Sequence, residues 1–362
     1  MKGTSEEQTS LPLPEITVAI TNWNGCAHLV SCMAAIRRQT HPIAEILLID
    51  NASTDDSVAW MRETHPDVRI IELESNDGPA PARNRGFREA RTKWVFSIDN
   101  DAEPTPECLA ILAGQIKSGA TCIHPRSVFS SEPDRVHYDG AGFHYVGMLT
   151  LHNFYAPLAD SQKDVHNIDG MIAVALLLDR DAILECGGYD SRYFILFEDH
   201  DLSYRLRSRG LMIRHEPTAI VHHNDGTEGI SFRTPGDYSQ RRVYLHSRNR
   251  WFLLMKCHSL RALLLGAPGI MVYDMAYLFF AIRERAFLSW CKGKIDAMRG
   301  CRGVLKERRN VQRNRCVRDR DLLASADLTV SPLIQRKGLT AVCFRLMNGM
   351  LGCYWKLVRW LA

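Results

Sequence analysis

Short apolar runs rich in β-branched residues alternate with amphipathic stretches over the first hundred residues. Ile16–Ile20 reads as a strand, and 27–38 follow with helical spacing. Glu45–Asp50 (EILLID) is apolar on both faces, as a strand buried between two layers must be. Start signals at Ser53–Asp56 open a helix to Thr64. A strand at Val68–Leu73, a Gly/Pro loop, a helix over 82–91 and a strand at Trp94–Ile98 complete the unit. Such alternation predicts a parallel sheet flanked by helices, with ligands bound at the carboxyl ends of its strands. Residues 120–168 are rich in His, Gly, Tyr and Pro and carry no clear period. Beyond them, Met171–Leu178 reads as an apolar strand, Gly187–Asp190 as a turn and Leu202–Arg209 as a helix stopped by Gly210.

Composition and charge refine the picture. The chain has 362 residues, 46% of them hydrophobic, which supports a sizeable core and rules out wholesale disorder. At roughly 150 residues per domain, it holds one large domain with an appendage, or two domains. Net charge is +4, yet residues 283–321 carry 13 Lys/Arg against 5 Asp/Glu, a local +8 that leaves −4 for the rest. A mildly acidic body followed by a basic segment suits contact with an anionic surface. The 11 cysteines are odd in number and lack C-x-x-C spacing. This argues against a disulfide framework or zinc site and for a reduced cytosolic compartment. Residues 1–14 are polar and acidic, a disordered leader without the apolar segment of a signal peptide.

Four constellations carry candidate chemistry. Asp99-x-Asp101 follows an apolar strand, where two carboxylates can chelate a hard divalent cation or simply form a solvated turn. Glu198-Asp199-x-Asp201 opens a helix beside Phe197 and Leu202. A carboxylate so placed has a raised pKa and suits a general base, although helix capping also explains it. The loop His222-His223-Asn224-Asp225-Gly226-Thr227 offers imidazole ligands, or an ordinary surface pair. Finally, Asn76-Asp77-Gly78-Pro79-Ala80 leads to Arg83-Asn84-Arg85-Gly86, a glycine turn feeding a helix that permits close approach of a base or phosphate. Neither G-x-G-x-x-G nor a P-loop follows the first strand, which disfavours a dinucleotide fold.

The order of these motifs, with the opening Val18-Ala19-Ile20-Thr21-Asn22-Trp23-Asn24, Asp50-Asn51-x-Ser53-Thr54-Asp55, Gly187-Gly188-Tyr189-Asp190 and Arg248-Asn249, resembles the family 2 glycosyltransferases of GT-A fold. The likeness is to bacterial rhamnosyltransferase-like enzymes of cell-surface glycans, over residues 16 to 250. It implies an α/β fold with a mainly parallel central sheet. It also implies an inverting transfer from a dTDP- or UDP-sugar to an acceptor hydroxyl, with Mn²⁺ or Mg²⁺ as cofactor. By this resemblance Asp101 is the direct metal ligand, and Asp99 lies near the ribose or sugar. Asp50 and Arg83 contact the base, and Thr21 belongs to the first nucleotide-binding loop. Asn22, Asn76, Gly78, Glu198 and Arg248 complete the donor site, and Asp199 is the general base. His222 or His223 adds a metal ligand, with the spacing to Thr227 favouring His222. Pro79 and Pro81 depart from the family pattern near Arg83. A non-catalytic nucleotide-sugar-binding subunit and a nucleotidyltransferase are the alternatives. The former has no need of both Asp101 and Asp199, and the latter wants a basic glycine loop that Asn22–Gly25 does not supply.

The C-terminal third, 251–362, reads as a helical, basic, membrane-associating appendage to a domain spanning 15–250. Ala262–Ile282 has length enough to span a bilayer, but Gly266, Pro268, Gly269 and Asp274 favour a buried or interfacial helix pair. In Ala341–Ala362, Arg345, Asn348, Gly349, Gly352, Lys356 and Arg359 oppose Phe344, Leu346, Met347, Met350, Leu351, Tyr354, Trp355, Leu357, Val358 and Trp360. That pattern fits an interfacial helix, or one docked on the protein's own core. With the basic segment, it predicts peripheral attachment to the inner, anionic face of the cell membrane beside a glycan or lipid-linked acceptor. Only Phe287 and Trp290 are available in 283–321 for base stacking, which argues against nucleic acid.

Overall fold

The computed structural model describes residues 13–224, 226, 230, 238–324, 327–332, 334 and 338–362, so the predicted leader lies almost wholly outside the described residues. The predicted alternation is present: β1 (Ile16–Asn22), α1 (Cys26–Arg37), β2 (Glu45–Asp50), α2 (Ser57–Thr64), β3 (Arg69–Glu72), α3 (Pro79–Glu89) and β4 (Trp94–Asp99). Strands β4, β1, β2 and β3 lie side by side and parallel. Ile16, Val18 and Ile20 pack under α1, and Ala19, Leu47, Ile49 and Val95 pack against the α3 side. Each fully buried Ile or Leu contributes about 2 to 3 kcal/mol, which explains why both faces of these strands are apolar. The register sets Asn22 opposite Asp50 and Thr21 opposite Asp99, so three loops open on one edge.

After β5 (Ala102–Pro104) and α4 (Cys108–Gly114), the sheet changes direction. β6 (Cys122–Phe129) is followed by β7 (Val136–Tyr138), then by β8 (Ala141–His144) and β9 (Met148–Leu151) of a separate three-stranded sheet. β10 (His166–Ile168), β11 (Ala175–Asp179), α5 (Arg180–Glu185), α6 (Glu198–Ser208) and β12 (Ile213–His223) complete the α/β half. The ten-stranded sheet is mixed: β11 runs antiparallel between β4 and β6, while β12 is parallel to β6. The result is the mainly parallel α/β, GT-A-like architecture expected.

Helix α7 (Gln240–Cys257) runs through residue 250 and packs along α9 (Phe287–Arg313). Residues 262–282 do not form the expected helix pair. They belong to one helix, α8 (Leu260–Arg283), that carries Pro268 in its interior. Gly266 and Gly269 let Tyr145 lie against α8, and a Cβ at Gly269 would overlap the tyrosine hydroxyl. The short α10 (Asp319–Leu322) and β13 (Leu323–Ala324) lead to α11 (Leu339–Val358). Its apolar side divides in two. Leu351 and Trp355 are buried, with Phe344, Met347, Tyr354 and Val358 packed around the same core, whereas Leu346, Met350, Leu357 and Trp360 face solvent. Trp355 stacks on Tyr145 at 4.5 Å and donates to the Leu323 carbonyl, so the helix is docked and also presents a free apolar edge.

Candidate active site

The loops at the carboxyl ends of β1 and β2 are held by amide and hydroxyl side chains. Asn22 Nδ2 donates to Asp50 (2.8 Å) and Ser57 Oγ (3.0 Å), and its Oδ1 accepts from Asn100 Nδ2 at 2.7 Å. Asp50 also accepts from the backbone N–H and hydroxyl of Ser53. It is almost fully enclosed, so its carboxylate shapes the loop. Thr21 is half-buried beside it, and its carbonyl accepts from the Asn100 N–H. Asn51 donates to Asn76 Oδ1 and to the Gly78 carbonyl, closing the turn ahead of α3. Gly78 has φ +93°, and any Cβ there would strike the Phe194 carbonyl. Only glycine permits the two loops to meet.

At the centre stands Arg83, buried on α3. Its Nη2 donates to both oxygens of Asp99 (2.8 and 3.1 Å) and to the Ala173 carbonyl, while Nη1 lies 3.7 Å from Glu198 and 3.9 Å from Asp199. One guanidinium therefore sits among three carboxylates. Burial lifts Asp99 to about 6 despite Arg83. Burial, then the neighbouring Asp199, lifts Glu198 to about 8. Burial also raises Asp199, opposed by Arg83 and by the Ala173 N–H, which donates to Oδ2 at 3.0 Å. Among the described residues, Asp199 Oδ1, Glu198 Oε2 and Arg83 Nη1 are buried without hydrogen-bond partners. Buried polar atoms are normally satisfied, so this local cluster of exceptions marks where a ligand belongs.

The acidic start of α6 depends on an irregular loop. Phe194, Leu196 and Phe197 all have positive φ, a costly geometry for bulky residues. Asn249 Nδ2 donates to the carbonyls of Tyr193, Ile195 and Leu196, and Arg248 Nη2 to those of Arg192 and Tyr193. Arg248 was expected at the donor. The structure instead spends its guanidinium on this loop and on Asn249, with Tyr244 and Phe252 rings against it.

Asp101 and the histidine loop form a second pair. His223 Nε2 lies 3.4 Å from Asp101 Oδ2, which also accepts from the Gly226 N–H at 2.8 Å. Burial works to raise Asp101, but His223 and Gly226 outweigh it and hold the carboxyl at about 2. Adjacent strand residues point to opposite faces, so one histidine alone can meet Asp101. It is His223, where residue spacing had favoured His222, which pairs in register with Glu103 of β5. Asp225 and Thr227 of this motif lie outside the described residues. Among the described residues, no three His, Cys, Asp or Glu side chains converge to hold an ion unaided. Asp101 and His223 still provide the oxygen and imidazole donors that Mn²⁺ or Mg²⁺ would take, leaving other positions to a diphosphate.

Sequence reasoning missed His137. Its Nδ1 lies 3.0 Å from His223 Nδ1, and its ring is stacked between Phe129 and Tyr138. It comes from β7 in the stretch without periodicity, 86 residues from its partner, and only the β6–β7 and β6–β12 pairings bring the two together. Asp199, Glu198, His223 and His137 open on one cavity of about 530 Å³, walled by rings such as Phe129 and Phe154.

Residues 17–183, from β1 into α5, match the model for Glycosyl transferase family 2. That stretch resembles a family 2 glycosyltransferase domain. A pre-mycofactocin glycosyltransferase of Mycobacterium tuberculosis is 26% identical over 223 residues, covering 59% of this chain and 43% of that protein. This chain thus spans less than half the length of that curated relative. The N-acetylglucosaminyl-diphospho-decaprenol L-rhamnosyltransferase of the same organism is 26% identical over 269 residues, covering 67% of this chain and 84% of that protein. Among solved structures, GalNAc-T7 with UDP, GalNAc and Mn²⁺ superposes with a TM-score of 0.52 at 17% identity, over 79% of this chain and 57% of that one. That likeness establishes the GT-A-like fold of the family 2 domain.

Proposed function

We propose that this protein is an inverting, metal-dependent glycosyltransferase. It would move a sugar from a dTDP- or UDP-sugar to a hydroxyl of a cell-surface glycan or lipid-linked acceptor. The observation that carries the reading is Asp199 Oδ1, buried without a hydrogen-bond partner and 3.9 Å from Arg83 Nη1, at the wall of a cavity that His223 also lines. The donor lies along the edge formed by Thr21, Asn22, Asp50, Asn76 and Gly78, with Arg83 and Asp99 toward the sugar. Asp101 and His223 would hold the divalent cation, which neutralises charge developing on a departing diphosphate. Asp199 accepts the acceptor proton at Oδ1 as the hydroxyl attacks the anomeric carbon from the face opposite the leaving group. Its raised pKa brings it nearer to the working pH of a general base. Glu198, held protonated beside it by burial, leaves the negative charge on Asp199 alone.

We infer attachment to the inner face of the cell membrane, and the C-terminal helices support it. α8 is long and apolar enough to cross a membrane, and only 22% of its apolar window is buried. Leu264, Met271, Met275 and Phe279 are exposed on it. Asp274, by contrast, turns inward to Arg250, Trp251 and Lys294. One polar side tied to α7 and α9 and one free apolar side suit a helix lying in the interface beside a basic segment. Replacing Asp199 with Asn should abolish transfer and leave UDP or dTDP binding nearly unchanged. Turnover at the wild-type rate would overturn the base assignment, and transfer in excess EDTA would overturn the metal role.

A further inference from the structure

Two imidazoles meet behind Asp101. His223 closes β12 and His137 sits at the middle of β7, and both strands pair with β6. The rings lie within 19° of parallel with centroids 5.0 Å apart, yet the two Nδ1 atoms are 3.0 Å apart. Their nitrogen-bearing edges therefore lead toward each other. Both side chains are buried, His137 at 5% and His223 at 7% exposure. Two N–H groups cannot face each other at hydrogen-bond distance, so one Nδ1 carries hydrogen and the other a lone pair. At that depth such a bond is stronger than in water.

The direction of this bond is set from the other edge of His223. Its Nε2 lies 3.4 Å from Asp101 Oδ2, where a cation would be taken. An imidazole ligates through a lone pair, and a neutral ring has one to give, so ligation at Nε2 puts the ring hydrogen on Nδ1. His137 Nδ1 is then the acceptor, with its own hydrogen on Nε2. Phe129 at 4.2 Å and Tyr138 at 3.7 Å stack on the His137 ring and fix its plane. Metal-bound histidines usually give this hydrogen to a carboxylate, a backbone carbonyl or water, and here an imidazole stands in that place. Among the described residues no three potential ligands converge, so His137 stands behind the ligand set and not within it.

We propose that His137 is a positioning residue of the cation site. By accepting a hydrogen bond from His223 Nδ1–H, it keeps the Nε2 lone pair of His223 turned toward Asp101. It also holds the His223 ring in the plane that a cation shared with Asp101 requires. This rests on the metal-dependent reading of the site and names the residue that prepares its imidazole ligand.

The test uses the full chain with saturating UDP. Its histidines are labelled with ¹⁵N, and proton–nitrogen correlation spectra with Mg²⁺ present read which ring nitrogen of His223 carries hydrogen, the signal being assigned by its loss in His223→Gln. Wild-type His223 should carry it on Nδ1, and hydrogen on Nε2 overturns the proposal. Electron paramagnetic resonance then reads Mn²⁺ affinity in two variants. His137→Phe keeps a ring against Phe129 and Tyr138 but accepts nothing, and should weaken Mn²⁺ binding at least roughly tenfold. His137→Asn loses the ring yet offers Oδ1 as acceptor, and should recover most of that affinity. A packing role predicts the opposite order, so Mn²⁺ affinity in His137→Phe equal to or above that in His137→Asn also overturns the proposal. UDP affinity without metal should be the same in all three chains. Absence of UDP-dependent Mn²⁺ binding in wild type overturns instead the metal-dependent reading.

Discussion

Asn249 tests the link between the loop and catalysis most directly, because it does not itself line the cavity but holds Ile195 and Leu196, which do. It is fully buried, and Nδ2 reaches three carbonyls at 2.8 to 3.0 Å. Replacing it with Ala leaves Tyr193 O with Arg248 as donor but strips Ile195 O and Leu196 O of this partner. A buried carbonyl left unpaired costs about 1 to 3 kcal/mol, so the loss is about 3 kcal/mol after some relaxation. With an unfolding entropy of about 2.1 cal/mol/K per residue over 362 residues, that lowers Tm by about 4 °C. The functional loss should be larger. Phe194, Leu196 and Phe197 are strained by their positive φ, and the clamp is what keeps them so. Released, the loop carries Asp199 away from its position, and a displacement of about 1 Å costs on the order of 100-fold in rate. Steady-state kinetics of Asn249→Ala should therefore show kcat down about 100-fold and UDP affinity within about twofold, since the donor edge is untouched. Wild-type kcat in a variant whose Tm has fallen would refute the idea that this clamp positions the base.

Two further expectations separate neighbouring residues. His223→Ala should weaken Mn²⁺ binding in the presence of UDP by at least roughly tenfold, read by electron paramagnetic resonance, while His222→Ala should not. Equal losses would refute the register. Glu198 is a carboxyl raised to about 8, so the folded chain binds a proton that the unfolded chain has already released. Stability from this group is full below the ordinary carboxyl range and is lost as pH rises toward 8. Glu198→Gln should therefore raise Tm more at pH 8 than at pH 5, and should remove an inflection near pH 8 from the activity profile. Asp199 must be deprotonated to act, so activity should fall on acidification through a pKa above 3.8 in both proteins. A Tm difference independent of pH would contradict the buried, protonated Glu198.

The apolar strands and their spacing by themselves determined the α/β half of this protein. A strand such as Glu45–Asp50, apolar on both faces, has only one stable environment, and the end of such a strand is where polar residues gather. Asp50, Asp99, Asp101 and Asp199 were legible for that reason, each standing at a strand end or helix start within one local motif. Pairings between distant segments left no such trace. That Arg83 would sit among Asp99, Glu198 and Asp199, that His223 rather than His222 would face Asp101, and that His137 would stack behind it depend on strand register, which a short motif does not encode. Arg248 and Asn249 were recognisable as a motif, but their work on the 192–196 carbonyls required the α7 packing to be seen. The same holds for the C-terminal helices. An amphipathic pattern shows that a face must be covered, and only the tertiary structure decided that Trp355 is covered by the protein while Leu346, Met350 and Trp360 are left for another surface.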